Sequence, residues 1–203
     1  ANGATDVIAI SGNGQLCAQC HRARRSADTQ IEEGYDHFGP HASPQADMVA
    51  GLSGYEFYDV AEFDGEFGGY KTGHSVIEDA CVTCHMHTTP YPNANTGHTF
   101  EATPAACASC HGEIEDFDDI QAKHDFDGDG MVEGLQSEVM GLMTNIENLL
   151  VAAGLDTVGH GDVMGALEAS IDDTLANGDP NPIAQDYRRG GYNYAFVHDD
   201  KSH

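Results

Sequence analysis

The chain has 203 residues, with 34 acidic side chains against 8 basic ones and a formal net charge of -26. Charge of that size and sign excludes nucleic acid and anionic membrane surfaces as partners. No stretch approaches the ~20 apolar residues of a membrane span, and 40% hydrophobic residues with no Trp, 24 Gly and 7 Pro make a thin core for one domain of this length.

At the N-terminus, Ala1-Asn2-Gly3-Ala4 has neither a basic start nor an apolar run of signal length, as in a mature chain whose leader has been removed. Cys17-Ala18-Gln19-Cys20-His21 comes next, followed at once by the basic cluster Arg22, Arg24 and Arg25. The stretch to residue 112 is rich in turn signals, among them Gly39-Pro40, Ser43-Pro44, Gly68-Gly69 and Thr89-Pro90-Tyr91-Pro92-Asn93. It also holds Cys81-Val82-Thr83-Cys84-His85 and Cys107-Ala108-Ser109-Cys110-His111. Short helical turns are expected at these three segments, within long irregular loops.

Residues 113–203 differ in character. The acidic segment 113–133 carries nine carboxylates and one lysine. Leu135, Val139, Leu142, Ile146 and Leu149 then recur at helical spacing, with Gly154 as the C-terminal cap. A second helix is expected from Asp162, with Val163, Leu167, Ile171 and Leu175 on one face and Gly178 after it; Asp179-Pro180-Asn181-Pro182 breaks the chain. A second basic pair, Arg188 and Arg189, lies near the C-terminus, and the two clusters are candidates for bidentate pairing with carboxylates. The expected class is mainly α with much irregular loop and few strands. Residues 1–112 form the motif-bearing region and 113–203 the scaffold, as one continuous unit.

Every cysteine falls in a C-x-x-C-H motif. This is the attachment signature of c-type haem: two thiols add across the porphyrin vinyl groups, and the adjacent histidine sits under the iron. With 12 histidines in 203 residues, chance placement of a histidine after all three pairs has a probability of roughly 2 in 10,000. A structural zinc site would use two of the C-x-x-C pairs and leave the third unexplained. A thioredoxin-like pair would need one motif on a βαβ frame. The expected cofactors are therefore three haem c groups, bound through Cys17, Cys20, His21, Cys81, Cys84, His85, Cys107, Cys110 and His111. Three porphyrins would supply the apolar surface that the side chains lack, strung through an extended body at about 68 residues per haem.

An electron carrier fills the sixth position of each iron, and an enzyme leaves it open. Nine further histidines are available. His41 lies between Pro40 and Pro44, which would stiffen the loop presenting it. His74 precedes Cys81 by seven residues and His98 precedes Cys107 by nine, so either can ride on the loop entering the next motif. His37 and His87 are alternatives, and Met48 and Met86 are rival ligands near the motifs.

Asp125-Phe126-Asp127-Gly128-Asp129-Gly130-Met131-Val132-Glu133 matches an EF-hand calcium loop at positions 1, 3, 5 and 6. Position 12 is Gln136 rather than glutamate, so Glu138 or Glu133 would replace it. The expected calcium ligands are Asp125, Asp127, Asp129, the Met131 carbonyl, and Glu133 or Glu138.

Four segments carry a more specific resemblance: Pro40-His41-Ala42-Ser43-Pro44-Gln45-Ala46-Asp47-Met48, Asp79-Ala80-Cys81-Val82-Thr83-Cys84-His85-Met86, Gly97-His98-Thr99-Phe100 and Tyr192-Asn193-Tyr194-Ala195-Phe196-Val197. They resemble multihaem c-type cytochromes exported by metal-reducing bacteria and related archaea, some of which polymerise into conductive extracellular filaments. The resemblance implies that His41, His74 and His98 match distal iron ligands. The family pattern often runs past Asp-Lys-Ser to a further ligand histidine; here His203 follows Asp200-Lys201-Ser202, and His198 and His203 are candidates to complete an iron in a neighbouring subunit.

The function expected on this basis is extracellular electron transfer, with the chain a non-enzymatic subunit of a head-to-tail homopolymer exchanging electrons with redox proteins or extracellular acceptors. A soluble periplasmic shuttle and an accessory subunit are alternatives. A haem oxidoreductase acting on nitrite, hydroxylamine or a sulfur oxyanion would need an open iron and a cationic pocket, which 8 basic residues against 34 acidic ones make hard to build. The expected location is extracellular or periplasmic.

Overall fold

The computed structural model describes residues 8–33, 38–55, 73–92, 94–159, 161–169 and 182–200. In chain order these form α1 (Gly14–Ala18), α2 (Ala27–Glu33), α3 (Gln45–Ala50), a 3-10 turn at Gly73–Val76, α4 (Cys81–His85), α5 (Pro104–His111) and a second 3-10 turn at Phe117–Asp119. The long α6 (Leu135–Ala152), α7 (helical over 163–169) and α8 (Pro182–Asp200) complete the set. Among the described residues there is no strand, only an isolated bridge between Gln121 and Gly134. The described part is mainly helical with much loop, as the sequence predicts.

Local chemistry sets the helix boundaries. Ser26 Oγ accepts the Thr29 N–H at 3.2 Å, satisfying one of the donors left over at the start of α2. Pro104 opens α5, where its fixed φ suits the first turn and its missing N–H costs nothing. Past the end of α6, Gly154 takes φ 103°, which an L side chain resists, and the Leu155 N–H returns to the Leu150 carbonyl at 3.0 Å. The sequence-predicted cap is in place.

Two apolar clusters organise the chain. In the larger, Ile31 of α2 and Phe38 meet Met143 and Leu150 of α6, Leu167 of α7, and Tyr192 and Tyr194 of α8. Each fully buried large aliphatic side chain contributes roughly 1.5–3 kcal/mol there. In the smaller, Ile8 and Ile10 cover Ala18, Ala46, Ala50 and Ala80, so that α1, α3 and the start of α4 approach closely through small side chains.

One expectation needs correction. The buried face of α6 is Val139, Met143, Ile146 and Leu150, whereas Leu135, Leu142 and Leu149 lie exposed on another side. Both rows have helical spacing, and contact with α7 and α8 selects the one that turns inward. After the expected break, Pro182 begins α8, the longest helix described, which the sequence reading does not anticipate. Gly190 and Gly191 mask its helical character in the sequence. The structure uses Gly191 for close approach, because a Cβ there would stand 2.7 Å from Leu167 Cδ2. For α7, Val163 and Leu167 are buried as expected; Ile171 and Leu175 lie outside the described residues.

The acidic segment is tied to the start of α6. Asp118 accepts the Ser137 N–H through Oδ1 at 2.9 Å and the Ser137 hydroxyl through Oδ2 at 2.6 Å. Donation from Ser137 outweighs desolvation and holds the Asp118 carboxyl below its ordinary range. A carboxyl depressed in the folded state binds its proton less tightly there than in the unfolded chain. Its contribution is therefore present above about pH 4 and declines as pH falls through the folded value. Asp118→Asn should lower the melting temperature at neutral pH and flatten its decline on acidification. Melting curves at neutral and acid pH check this; equal acid sensitivity in the variant and the parent would contradict it.

Candidate functional site

The three C-x-x-C-H segments stand in series. Cys17 lies in α1, with Cys20 and His21 in the turn that follows; the N–H groups of both return to the Cys17 carbonyl at 3.0 and 2.9 Å. The second and third motifs lie within α4 and α5. Helix α1 packs on α4, and α4 packs on α5, so the spatial order follows the chain. Asp79 fastens the first joint by accepting the Asn13 N–H through Oδ1 at 2.7 Å. Asp79 and Ala80 both take positive φ (57° and 38°), a costly turn for L residues immediately before Cys81.

None of the six cysteines is paired in a disulfide. Burial pushes the Cys81 thiol up, and nearby Cys17 adds to the effect. Cys84 rises through burial and then through Cys107 and Cys110, and Cys107 through burial and Cys110. Reactive redox thiols sit in electropositive surroundings that lower their pKa. At Cys81, Cys84 and Cys107 the shift runs the other way.

Two motif histidines have an acceptor at Nδ1. His85 Nδ1 lies 2.9 Å from the Phe100 carbonyl, which can only accept, so the proton is on Nδ1 and the lone pair on Nε2. Phe100 takes φ 58°, an outlier for an aromatic residue, and this conformation presents its carbonyl. His21 Nδ1 lies 3.0 Å from Gln45 Oε1. The Gln45 amide nitrogen donates to the Asp200 carbonyl at the end of α8, which turns its oxygen toward His21. An acceptor at one imidazole nitrogen orients the ring and raises the basicity of the other nitrogen, which is how metal-ligating histidines are held. His111 instead faces His74: their ring centroids are 6.0 Å apart, with the planes at 67°.

The other candidate ligands are placed as follows. His41 takes φ 76°; its Nδ1 faces the Ala42 carbonyl at 3.2 Å, and its Nε2 lies 3.4 Å from Arg24 Nη1. Its loop is bridged to α2's approach and to α8 by the Arg24 N–H on the Pro40 carbonyl (3.1 Å) and the Ser43 N–H on the Asp199 carbonyl (3.4 Å). His98 is exposed and follows Gly97, whose positive φ of 70° seats it directly on the Met86 backbone beside the second motif. His198 stacks on Tyr194, with centroids 6.0 Å apart, and lies 3.4 Å from Asp199. His37 and His203 lie outside the described residues.

The arginine clusters divide. Arg24 stands at His41, beside the first motif. Arg188 donates to the Ile31 carbonyl at 3.3 Å, and Arg189 lies over the Tyr55 ring at 5.0 Å, so both serve the packing of α8.

The residues fit a porphyrin. Nε2 is free at His21 and His85, and apolar Leu16, Val76 and Phe100 are exposed around the motifs, at 78%, 78% and 61%. These side chains leave apolar surface next to the motifs that a porphyrin would cover.

In the acidic loop, the structure gathers part of the predicted calcium set. Oxygens of Asp125, Asp127 and Glu138 all lie within 4.8 Å of one another. Asp125 accepts the Gly128 and Gly130 N–H groups at 2.6 and 2.9 Å, curling the loop around itself. Glu138 is almost fully buried and accepts the N–H groups of Glu133, Phe126 and Asp127. Those donors, led by Glu133, hold its carboxyl below the usual range. Asp129 and Glu133 are not in the cluster. Asp129 accepts the Met131 N–H at 2.8 Å, and burial, with repulsion from Asp129, Asp127 and Glu138, pushes the Glu133 carboxyl up. Of the two replacements left open by the sequence, Glu138 is the one brought in.

No protein-family model, curated protein or solved structure matches this chain. Among the described residues, no helix is long and apolar enough to cross a membrane.

Sequence reading did not find Gln45 or the Phe100 carbonyl as partners of motif histidines. Gln45 is anonymous without its contact to α8, and a backbone carbonyl has no residue signature. Gly97 offers a direct check on the loop that carries His98 and Phe100. A Cβ at that position would press into the Met86 backbone, with its carbon at 2.8 Å, at a φ that already disfavours L residues. Gly97→Ala should destabilise the fold by roughly 1–3 kcal/mol, seen as a lower denaturation midpoint; an unchanged midpoint would contradict the close approach.

Proposed function

We propose that this chain is an exported electron-transfer protein that carries three covalently attached c-type haems. One observation supports the reading most strongly: three C-x-x-C-H motifs docked in series, with Nδ1 of His21 and His85 held by acceptors and Nε2 left for a metal. When bound, haem c supplies reversible one-electron chemistry at iron. The chain's part is to anchor the porphyrins through six thiols, orient the proximal imidazoles and keep successive groups adjacent. Histidines sufficient to fill the sixth positions make this a carrier rather than a catalyst.

The finer reading is a subunit of a head-to-tail polymer with a continuous haem path. Its support is the generous polypeptide per motif and the exposed row Leu135, Leu142 and Leu149 along α6, apolar surface of the kind that interfaces use. A soluble shuttle is the alternative, and the exchange partners are redox proteins or extracellular acceptors.

Calcium belongs to the same proposal. Asp125, Asp127 and Glu138 would hold the ion, with Asp129 and the Met131 carbonyl the further candidates from the sequence. The ion would offset carboxylate repulsion where the loop meets α6.

Spectroelectrochemical titration of the native protein should show three one-electron haem transitions per chain, and negative-stain images should show filaments. Absence of haem transitions contradicts the electron-transfer reading. A monomer at high concentration, with haem and calcium present, contradicts the polymer alone.

Calcium bound only to the folded state stabilises it by mass action. Thorough chelation should therefore lower the melting temperature, and added calcium should restore it. Unchanged melting, with no calcium found by elemental analysis, would return the loop to an acidic turn.

A further inference from the structure

We propose that His74 is the second axial ligand of the iron carried by the third motif, opposite His111; the assignment rests on the haem reading above. The sequence leaves the pairing open, because His74 lies seven residues before Cys81 and belongs, along the chain, to the approach to the second motif. The fold takes it elsewhere. The 3-10 turn Gly73–Val76 carries the His74 ring to within 6.0 Å of the His111 ring, measured between centroids.

That separation suits a shared metal ion. Metal–imidazole bonds are about 2 Å long, and the distance from ring nitrogen to ring centre adds about half as much again on each side, so two imidazoles across one ion stand roughly 6 Å apart. Both rings are exposed, so neither is held there by burial in an apolar core. An edge contact between two exposed rings is a weak reason for a loop to cross from one motif to the next. Among the described residues, no other two histidine rings meet this way. His41 is turned toward Ala42 and Arg24, His85 toward Phe100, and His198 stacks on Tyr194.

The pairing makes the segment from Gly73 to His111 one unit. Helix α4, which carries the second motif, is flanked in sequence by the two ligands of the third iron and packs on α5. The second and third haems are thereby locked side by side, and two neutral imidazoles keep the third iron six-coordinate and closed to exogenous ligands.

The test counts carbon monoxide bound per chain by the reduced three-haem protein. His74→Ala should keep three haems and bind one more carbon monoxide than the parent, while His74→Met should restore the parent count and raise the potential of one haem. A Cys107→Ser/Cys110→Ser chain should carry two haems, and His74→Ala in that background should add no carbon monoxide site. An unchanged count in His74→Ala with three haems attached overturns the pairing and leaves the haem reading standing. A new site that persists in the two-haem background assigns His74 to another iron and also overturns it. If His74→Ala does not accumulate, His74→Met decides: three unchanged potentials overturn the proposal. A parent protein without three haems overturns the haem reading itself.

Discussion

One side-chain amide ties the first motif to the last turn of α8. Gln45 accepts from His21 beside the first motif and donates to the last turn of α8, 155 residues further on. Because its nitrogen is committed to a carbonyl, its oxygen must face the imidazole, and the imidazole proton must sit on Nδ1. The chemical readiness of the first motif therefore depends on where α8 ends. The position of α8 depends in turn on its packing with α2 and α6 and on the close approach that Gly191 allows at Leu167.

The rest of the architecture follows from a shortage of apolar side chains. The larger cluster is built where the chain is helical and aliphatic, between α2, α6, α7 and α8. The motif helices are packed instead by alanines at their inner ends. Their outer surroundings stay open, with Leu16, Val76 and Phe100 facing solvent. Polar contacts do much of the remaining positioning. Asp47, fully buried, accepts the Ala23 N–H at 2.5 Å and the Ser53 hydroxyl, fixing the chain just after the first motif against α3. Desolvation raises its pKa despite those donors, so this anchor carries a cost that the surrounding packing offsets.

How much of this was legible from sequence varied with the physics involved. The motif cysteines and histidines were legible because their C-x-x-C-H spacing repeats three times, and the acidic loop because alternating carboxylates and Gly130 have one turn geometry in common. The cap at Gly154 is a local event with a local signature; Ser26 and Pro104 carry such signatures too, but the sequence reading did not use them. The face of α6 was misread because both leucine-rich rows have helical period, and only α7 and α8 choose between them. Helix α8 was hidden by Gly190-Gly191, residues that disfavour a helix until its partner is known. The acceptors on His21 and His85 were out of reach for the same reason: one spans nearly the whole chain and the other is a main-chain carbonyl. The meeting of His74 with His111 was out of reach because the sequence leaves the pairing of distal histidines open and only the three-dimensional fold brings the two rings together.

The central claim is that all six cysteines exist to carry haem, and the intact mass of the native protein under denaturing conditions tests it most directly. The polypeptide alone accounts for 21.6 kDa. The account requires that mass plus three haems, retained after unfolding and lost from any variant that lacks a motif's cysteines. A native chain at the bare polypeptide mass, with six titratable thiols, would contradict it.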